Sequence, residues 1–166
     1  MIIRGKAIKY GDNIDTDAII PGKYTKTLDM QELANHAMED LDPDFKSRIV
    51  RNDFVIAGKN FGCGSSREQA PLALKHAGVG CIVAKSFARI FYRNSINIGL
   101  PLIECDTDQI EDGDVLEYVL GSKIIENVTT HKGIEVTGLP PIMIGILMEG
   151  GLVEYLKRNG TYKMNV

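Results

Sequence analysis

Two runs near the middle of the chain are apolar on both faces: "DFVIAGKNFG" from Asp53 to Gly62, and "GCIVAKSF" from Gly80 to Phe87. Neither alternates, which predicts short central strands covered on both sides. Between them "SSREQAPLALKHAG" reads as a helix with Gly78 as its stop. Strand, glycine-rich turn, helix, strand is a βαβ unit, and such parallel crossovers are right-handed. Upstream, "IIRGKAIKYG" alternates loosely and predicts a first strand ending at Gly11. The next stretch, "DNIDTDAIIPGKYTKT", is rich in Asp, Thr, Pro and Gly and reads as loop. Met30, Leu33, Ala34 and Ala37 then share one helix face, with Asp29 placed to cap it. Downstream, "ARIFYRNSINIGL" predicts a second short helix or turn and "PLIEC" a third strand. "GDVLEYVL", "SKIIENVTT" and "KGIEVTGL" predict a β-ribbon, the first two separated near Gly121-Ser122. "PPIMIGILMEGGLVEYLKRNG" closes with a helix stopped at Gly150-Gly151 and a second helical turn. The pattern as a whole predicts an α/β fold with a parallel core and an added β-layer. A doubly wound flavodoxin-like sheet is the competing architecture, and the β-rich last third counts against it.

Composition narrows the function. The 166 residues suit one domain over 1–166, and 44% hydrophobic with 25% charged residues is a globular profile, not a disordered one. A net charge of −3 argues against a nucleic-acid partner, which ordinarily selects a basic face. No apolar run is long enough to suggest a membrane span, and "MIIRGKAIKYGDN" lacks the features of a signal peptide. Cys63, Cys81 and Cys105 are odd in number and widely spaced, which predicts reduced thiols and a cytoplasmic protein. Without a C-x-x-C pair the chain is not expected to ligate a metal cluster alone.

The chemistry concentrates in "NFGCGSSREQAP", residues 60–71. The turn at Gly62 to Ser66 follows a buried strand, where open α/β sheets place their ligand sites. Gly62 and Gly64 allow backbone angles and close approaches that a Cβ forbids. Ser65 and Glu68 have capping-box spacing, which puts Ser65 at a helix N-cap. Pro71 conflicts with a regular helix from there, because it lacks an N–H and crowds the preceding turn. The helix therefore bends or starts later, and the N–H groups around Ser65 to Arg67 form an anion-attracting rim. Arg67 adds a fork suited to a carboxylate, and the same positive potential lowers the cost of ionising Ser65 as a base. Neither phosphate-loop spacing nor a G-x-S-x-G elbow is present. His36, His76 and His131 fall on or beside ordinary elements, so a serine-histidine hydrolase is poorly supported. A carboxylate site with a serine base remains.

"NFGCGSSREQAPLAL", followed by "AKSFARIFYRNSINIGLPLIE" and preceded by "GDNIDTDAIIPGKY", resembles the aconitase / 3-isopropylmalate dehydratase family of hydro-lyases. The likeness is to its swivel domain as a separate small subunit, and "EGGLVEYLKR" also fits. The resemblance implies a three-layer β/β/α swivelling domain with a parallel core sheet. It implies a cluster-bearing large subunit, in a heterodimer or heterotetramer, that holds a [4Fe–4S] cluster; this chain binds none. Ser65 matches the family's base and Arg67 a substrate-carboxylate contact, with Ser66 beside them and Gly62 and Gly64 shaping the turn. Asp17 matches an acidic residue lining the site, or else caps local N–H groups. Cys63 suits a tight turn as a small side chain better than as a catalytic thiol. Arg89, Arg93 and Asn94 either support the site or form a structural network holding the strand ends.

The implied activity is dehydration and rehydration of 2- and 3-isopropylmalate in leucine biosynthesis. Homoaconitase and methylmalate or dimethylmalate hydro-lyases are alternatives, as is a carboxylate-binding module outside enzymes. In the family the loop holding Thr25 and Lys26 contacts the group that distinguishes substrates. Homoaconitase-like relatives have Tyr-Leu-Arg-Thr there and isopropylmalate enzymes often an uncharged residue; Tyr24-Thr25-Lys26-Thr27 matches neither. Lys26 either neutralises a third carboxylate or is a solvated loop lysine.

Overall fold

The structure, a computed structural model, describes residues 1–160. Its organising element is β1 (Ile2–Lys9), which pairs in parallel with β2 (Phe54–Ile56) on one side and antiparallel with β5 (Val115–Val119) on the other. β3 (Cys81–Ala84) and β4 (Leu102–Glu104) extend the parallel half, and β6 (Ile124–Asn127) and β7 (Lys132–Glu135) the antiparallel half. The order is β4-β3-β2-β1-β5-β6-β7.

The two-sided burial expected of β2 and β3 is present along every residue of both strands. Strand pleating sends successive residues to opposite faces. Val55, Ala57, Ile82 and Ala84 therefore meet Leu33, Ala70, Ala73 and Leu74, from α2 (Met30–His36) and α4 (Gln69–Ala77). Phe54, Ile56, Cys81 and Val83 point the other way, onto Leu116, Tyr118, Ile125 and Ile134 of the antiparallel ribbon. The ribbon curls back over that face, and the result is a β/β/α sandwich of three layers. β5 shows why the ribbon can do so: Leu116 and Tyr118 turn inward, while Glu117 turns outward to Arg4 at 3.1 Å.

Local signals act as read at several points. Asp29 caps α2, accepting from the Gln31 and Glu32 amides, and α4 stops at Gly78 in the left-handed region. The loop reading of residues 12–27 needs correction: α1 (Thr16–Ile19) and a single 3₁₀ turn at Gly22–Tyr24 lie within it. Asp15 caps α1 through the Ala18 amide at 2.8 Å. A further short helix, α3 (Phe45–Arg48), is fastened by the buried Phe45. The remaining helices are α5 (Arg89–Asn97), α6 (Pro141–Met148) and α7 (Leu152–Asn159), the last a full helix where a turn was expected.

Candidate active site

The chain leaving β2 runs past the carboxyl ends of the parallel strands and is held by other backbone segments. Phe61 bridges to Phe87, the Gly62 amide donates to the Ile14 carbonyl at 2.7 Å, and the Thr16 amide donates to the Cys63 carbonyl at 2.9 Å. The Thr16 hydroxyl, almost fully buried, donates to the Ser65 carbonyl at 2.8 Å. Under the turn, Phe91 and Phe87 meet Phe61 edge to face, with centroids 5.3 and 6.0 Å away. Gly62 sits on Phe91 with φ +82°, and a Cβ there would lie 2.2 Å from the Phe91 ring. Only glycine fits this seat.

The capping-box expectation for Ser65 is not met. α4 begins at Gln69, preceded by Glu68, and no side chain caps it. Pro71 decides the matter, because as the third helical residue its missing N–H falls among amides that no helix satisfies internally. The later start leaves the amides of Ser65, Ser66 and Arg67 without a bond to any other described residue. Both serine side chains are exposed, and neither hydroxyl bonds to another described residue. Three backbone donors beside Arg67 are therefore free of any described partner.

Arg67 is largely sheltered and already holds a carboxylate. Its Nη1 lies 2.5 Å from Asp17 Oδ1 and donates to the Ile20 carbonyl at 3.3 Å, while the guanidinium lies against Gly22. Asp17 itself is 66% exposed, so a solvent-borne acid can compete for the arginine. Of the two roles expected for Asp17, local capping is excluded, since Asp15 does that work. A cavity of about 320 Å³ opens here, lined among others by Thr16, Ser65, Ser66, Arg67, Arg89 and Asn94. Gly62, Gly64, Ser65, Ser66 and Arg67 thus gather at one place, with Asp17 joined through its ion pair. Thr25 and Lys26 do not line the cavity. The Thr25 hydroxyl turns back to the Gly22 carbonyl at 2.8 Å, and Lys26 points to solvent. Their loop is nonetheless pinned nearby, through Tyr24 stacked on His36 at 3.8 Å between centroids and the Thr27 hydroxyl on Glu32 at 2.8 Å.

The network expected of Arg89, Arg93 and Asn94 is absent: none of these side chains bonds to another described residue. Thr16 was missed by sequence reasoning, because its partners lie about the Ser65 turn and no local pattern encodes them. Among the described residues, no group of three or more His, Cys, Asp or Glu side chains is placed to hold a metal. Burial pushes the Cys81 thiol far above its ordinary range, and burial with Asp106 nearby pushes Cys105 up to about 12. Both stay protonated at neutral pH and are poor ligands in that form. No helix among the described residues is long and apolar enough to cross a membrane.

What the arrangement can do chemically is bind a carboxylate and present an unpartnered hydroxyl beside it. The sequence matches the Aconitase C-terminal domain family over residues 13–107. It is 55% identical over 159 residues to a protein of Caldicellulosiruptor bescii named 3-isopropylmalate dehydratase small subunit, covering 95% of this chain and 96% of that one. Identity is also 55% over 161 residues to 3-isopropylmalate dehydratase small subunit 2 of Archaeoglobus fulgidus, covering 96% and 98%. A crystal structure titled 3-isopropylmalate dehydratase (LeuD) from Methanocaldococcus jannaschii superposes with a TM-score of 0.92 at 49% identity, over 96% of each chain.

Proposed function

This chain belongs to the Aconitase C-terminal domain family, and we propose that it is the small subunit of a 3-isopropylmalate dehydratase, a hydro-lyase of two chains. The observation that carries this is near-full-length identity above one half to chains bearing that name. The geometry at Ser65 supplies the chemical reason. The substrates are 2- and 3-isopropylmalate of leucine biosynthesis, and the chain works as one swivel domain in the cytoplasm beside a cluster-bearing large subunit.

On this reading a [4Fe–4S] cluster would be held by the partner subunit, where it would supply Lewis-acid chemistry for the substrate hydroxyl. The work of this chain is proton transfer and positioning. Arg67 exchanges Asp17 for a substrate carboxylate, which it binds with two parallel hydrogen bonds. The free amides of residues 65–67 and the guanidinium stabilise negative charge on Ser65 Oγ and on the carboxylate. Ser65 then takes the proton from the carbon next to that carboxylate, and returns one on rehydration. Gly62 and Gly64 fix the turn that aims the hydroxyl.

Lys26 supports a second reading. Exposed and without a partner among the described residues, it is free to meet a third carboxylate, as a homoaconitase requires. The test is hydration of isopropylmaleate beside cis-homoaconitate, after anaerobic reconstitution with the cognate large subunit. Turnover of isopropylmaleate that collapses in Ser65→Ala and survives Lys26→Ala supports the proposal. Preference for the tricarboxylate, lost in Lys26→Ala, replaces it with the second reading. Turnover of neither substrate rejects both.

A further inference from the structure

Helix α6 departs from the usual burial of a wholly apolar helix. Its sequence, "PIMIGILM", has no polar side chain, and a helix apolar all round is ordinarily buried all round. Here only Ile146 and Leu147 are buried; Ile142, Met143 and Ile144 are partly open, and Met148 is 55% exposed. Between α6 and α5 runs a groove of about 670 Å³ floored by Phe87, Tyr92, Ile96, Ile142, Met143 and Ile146. An apolar patch of this kind, rimmed by charge, marks an interaction site.

The rim says what chemistry is missing. Arg89 and Arg93 stand one helical turn apart at the groove edge, exposed; Glu104 also lines the groove, yet neither arginine pairs with it or with another described residue. Arg89 also lines the cavity beside Ser65, so groove and cavity are continuous at that side chain. Ile90, 53% exposed, borders the same cavity. A body that closes over Ser65 therefore extends past Arg89 into the groove.

We propose that the α5–α6 groove is the docking cleft for the cluster-bearing subunit, taking an apolar ridge whose flanking carboxylates pair with Arg89 and Arg93. This rests on the two-chain hydro-lyase reading above. It explains why α6 remains apolar on its open side, and why two arginines one helical turn apart lack partners among the described residues.

The experiment titrates the cluster-loaded large subunit with wild type, Arg93→Glu and Ile142→Asp. The half-saturating concentration for isopropylmaleate hydration is read together with the dissociation constant from sedimentation velocity, and circular dichroism confirms folding. Arg93→Glu is the cleaner variant, because it removes no hydrogen bond or ion pair to another described residue. Both variants should raise half-saturation about tenfold or more, since like charges or a buried charge at an interface cost that much. With excess partner the maximal rate should stay within about twofold, because neither side chain lines the Ser65 cavity. Half-saturation unchanged in both variants, with an active wild type, overturns the docking cleft and leaves the hydro-lyase reading standing. Loss of self-association in the isolated subunit, with partner affinity unchanged, also overturns it and assigns the groove to a second copy. A wild type that neither binds the large subunit nor turns over substrate rejects the hydro-lyase reading itself.

Discussion

Adding one methyl at Gly62 should cost more than adding one at Gly64, two residues away on the same turn. Both glycines have positive φ, +82° and +89°, so each alanine incurs the left-handed backbone cost of about 1–2 kcal/mol. Only at Gly62 is the space also filled. The new Cβ would lie 2.2 Å from Phe91 Cγ and 2.5 Å from its Cβ, whereas at Gly64 the nearest atom is 3.5 Å away. Phe91 is buried and wedged against Phe61, so it cannot swing clear. Overpacking of this kind adds about 1–3 kcal/mol, for a total of about 2–5 kcal/mol at Gly62. With a urea slope of about 2 kcal/mol/M, the unfolding midpoint should fall by about 1–2.5 M in Gly62→Ala and about 0.5–1 M in Gly64→Ala. Activity of the reconstituted enzyme should fall about a hundredfold in Gly62→Ala, because a displacement near 1 Å at a reacting group has that effect. Phe91→Leu, combined with Gly62→Ala, should recover part of the loss in a double-mutant cycle. Equal midpoint shifts for the two glycine variants, or no coupling to Phe91, would refute the seat on which this argument rests.

Three further outcomes follow from the site and the helix behind it. Thr16→Val removes the buried donor to the Ser65 carbonyl and should lower stability by about 1–3 kcal/mol in denaturant titration; a change below 0.5 would count against that bond as a tether. Arg67→Lys keeps the charge but loses the fork, and kcat/KM should drop about 10–100-fold with the unfolding midpoint little changed. An unchanged kcat/KM would remove Arg67 from the substrate contact. Burial, and then Lys75, holds His76 below its ordinary pKa near 6.5. The unfolded chain therefore takes up this proton first on acidification, so the contribution to stability is whole above about pH 6.5 and is lost as pH falls through the folded value. Lys75→Gln should raise the His76 midpoint in an NMR titration, and an unmoved midpoint would exclude Lys75 as a cause.

The parts of this fold that were legible in the sequence are those governed by neighbours in the chain. The apolar runs about Val55 and Ile82 announced buried strands, Asp29 announced a cap, and the strand-like segments after Gly113 announced the second β-layer. Pro71 allowed a later start for α4, and the structure took that option. What stayed hidden depends on residues far apart in sequence. Residues 12–27 looked like loop, because a four-residue helix has too few positions to show a period, and α1 is held by contacts from Thr16 to Cys63 and Ser65. The candidate residues of the turn could be nominated together because they are contiguous. Phe91, which dictates glycine at 62, lies on another helix and carries no mark of that role in its own neighbourhood. Arg89 and Arg93 looked like structural cations for the opposite reason: their partners were assumed to be within the chain.

The position of β1 has a consequence for how the chain reaches this state. β1 precedes the other described strands along the chain and lies at the middle of the sheet, joined to β2 through Ala7 and Phe54 and to β5 through Ile2 and Val119. Until the last third of the chain has left the ribosome, β1 keeps one open edge, and one face of the parallel strands lacks its cover. Closure over so long a separation carries a loop entropy that local contacts cannot offset, so folding is slow and its late step is the arrival of the ribbon. An exposed strand edge during that wait is a template for pairing with another chain. Nascent chains therefore depend most on chaperone protection before the ribbon arrives, and a circular permutant that opens the chain between β4 and β5, which shortens the separation of β5 from β1 along the chain, should fold faster.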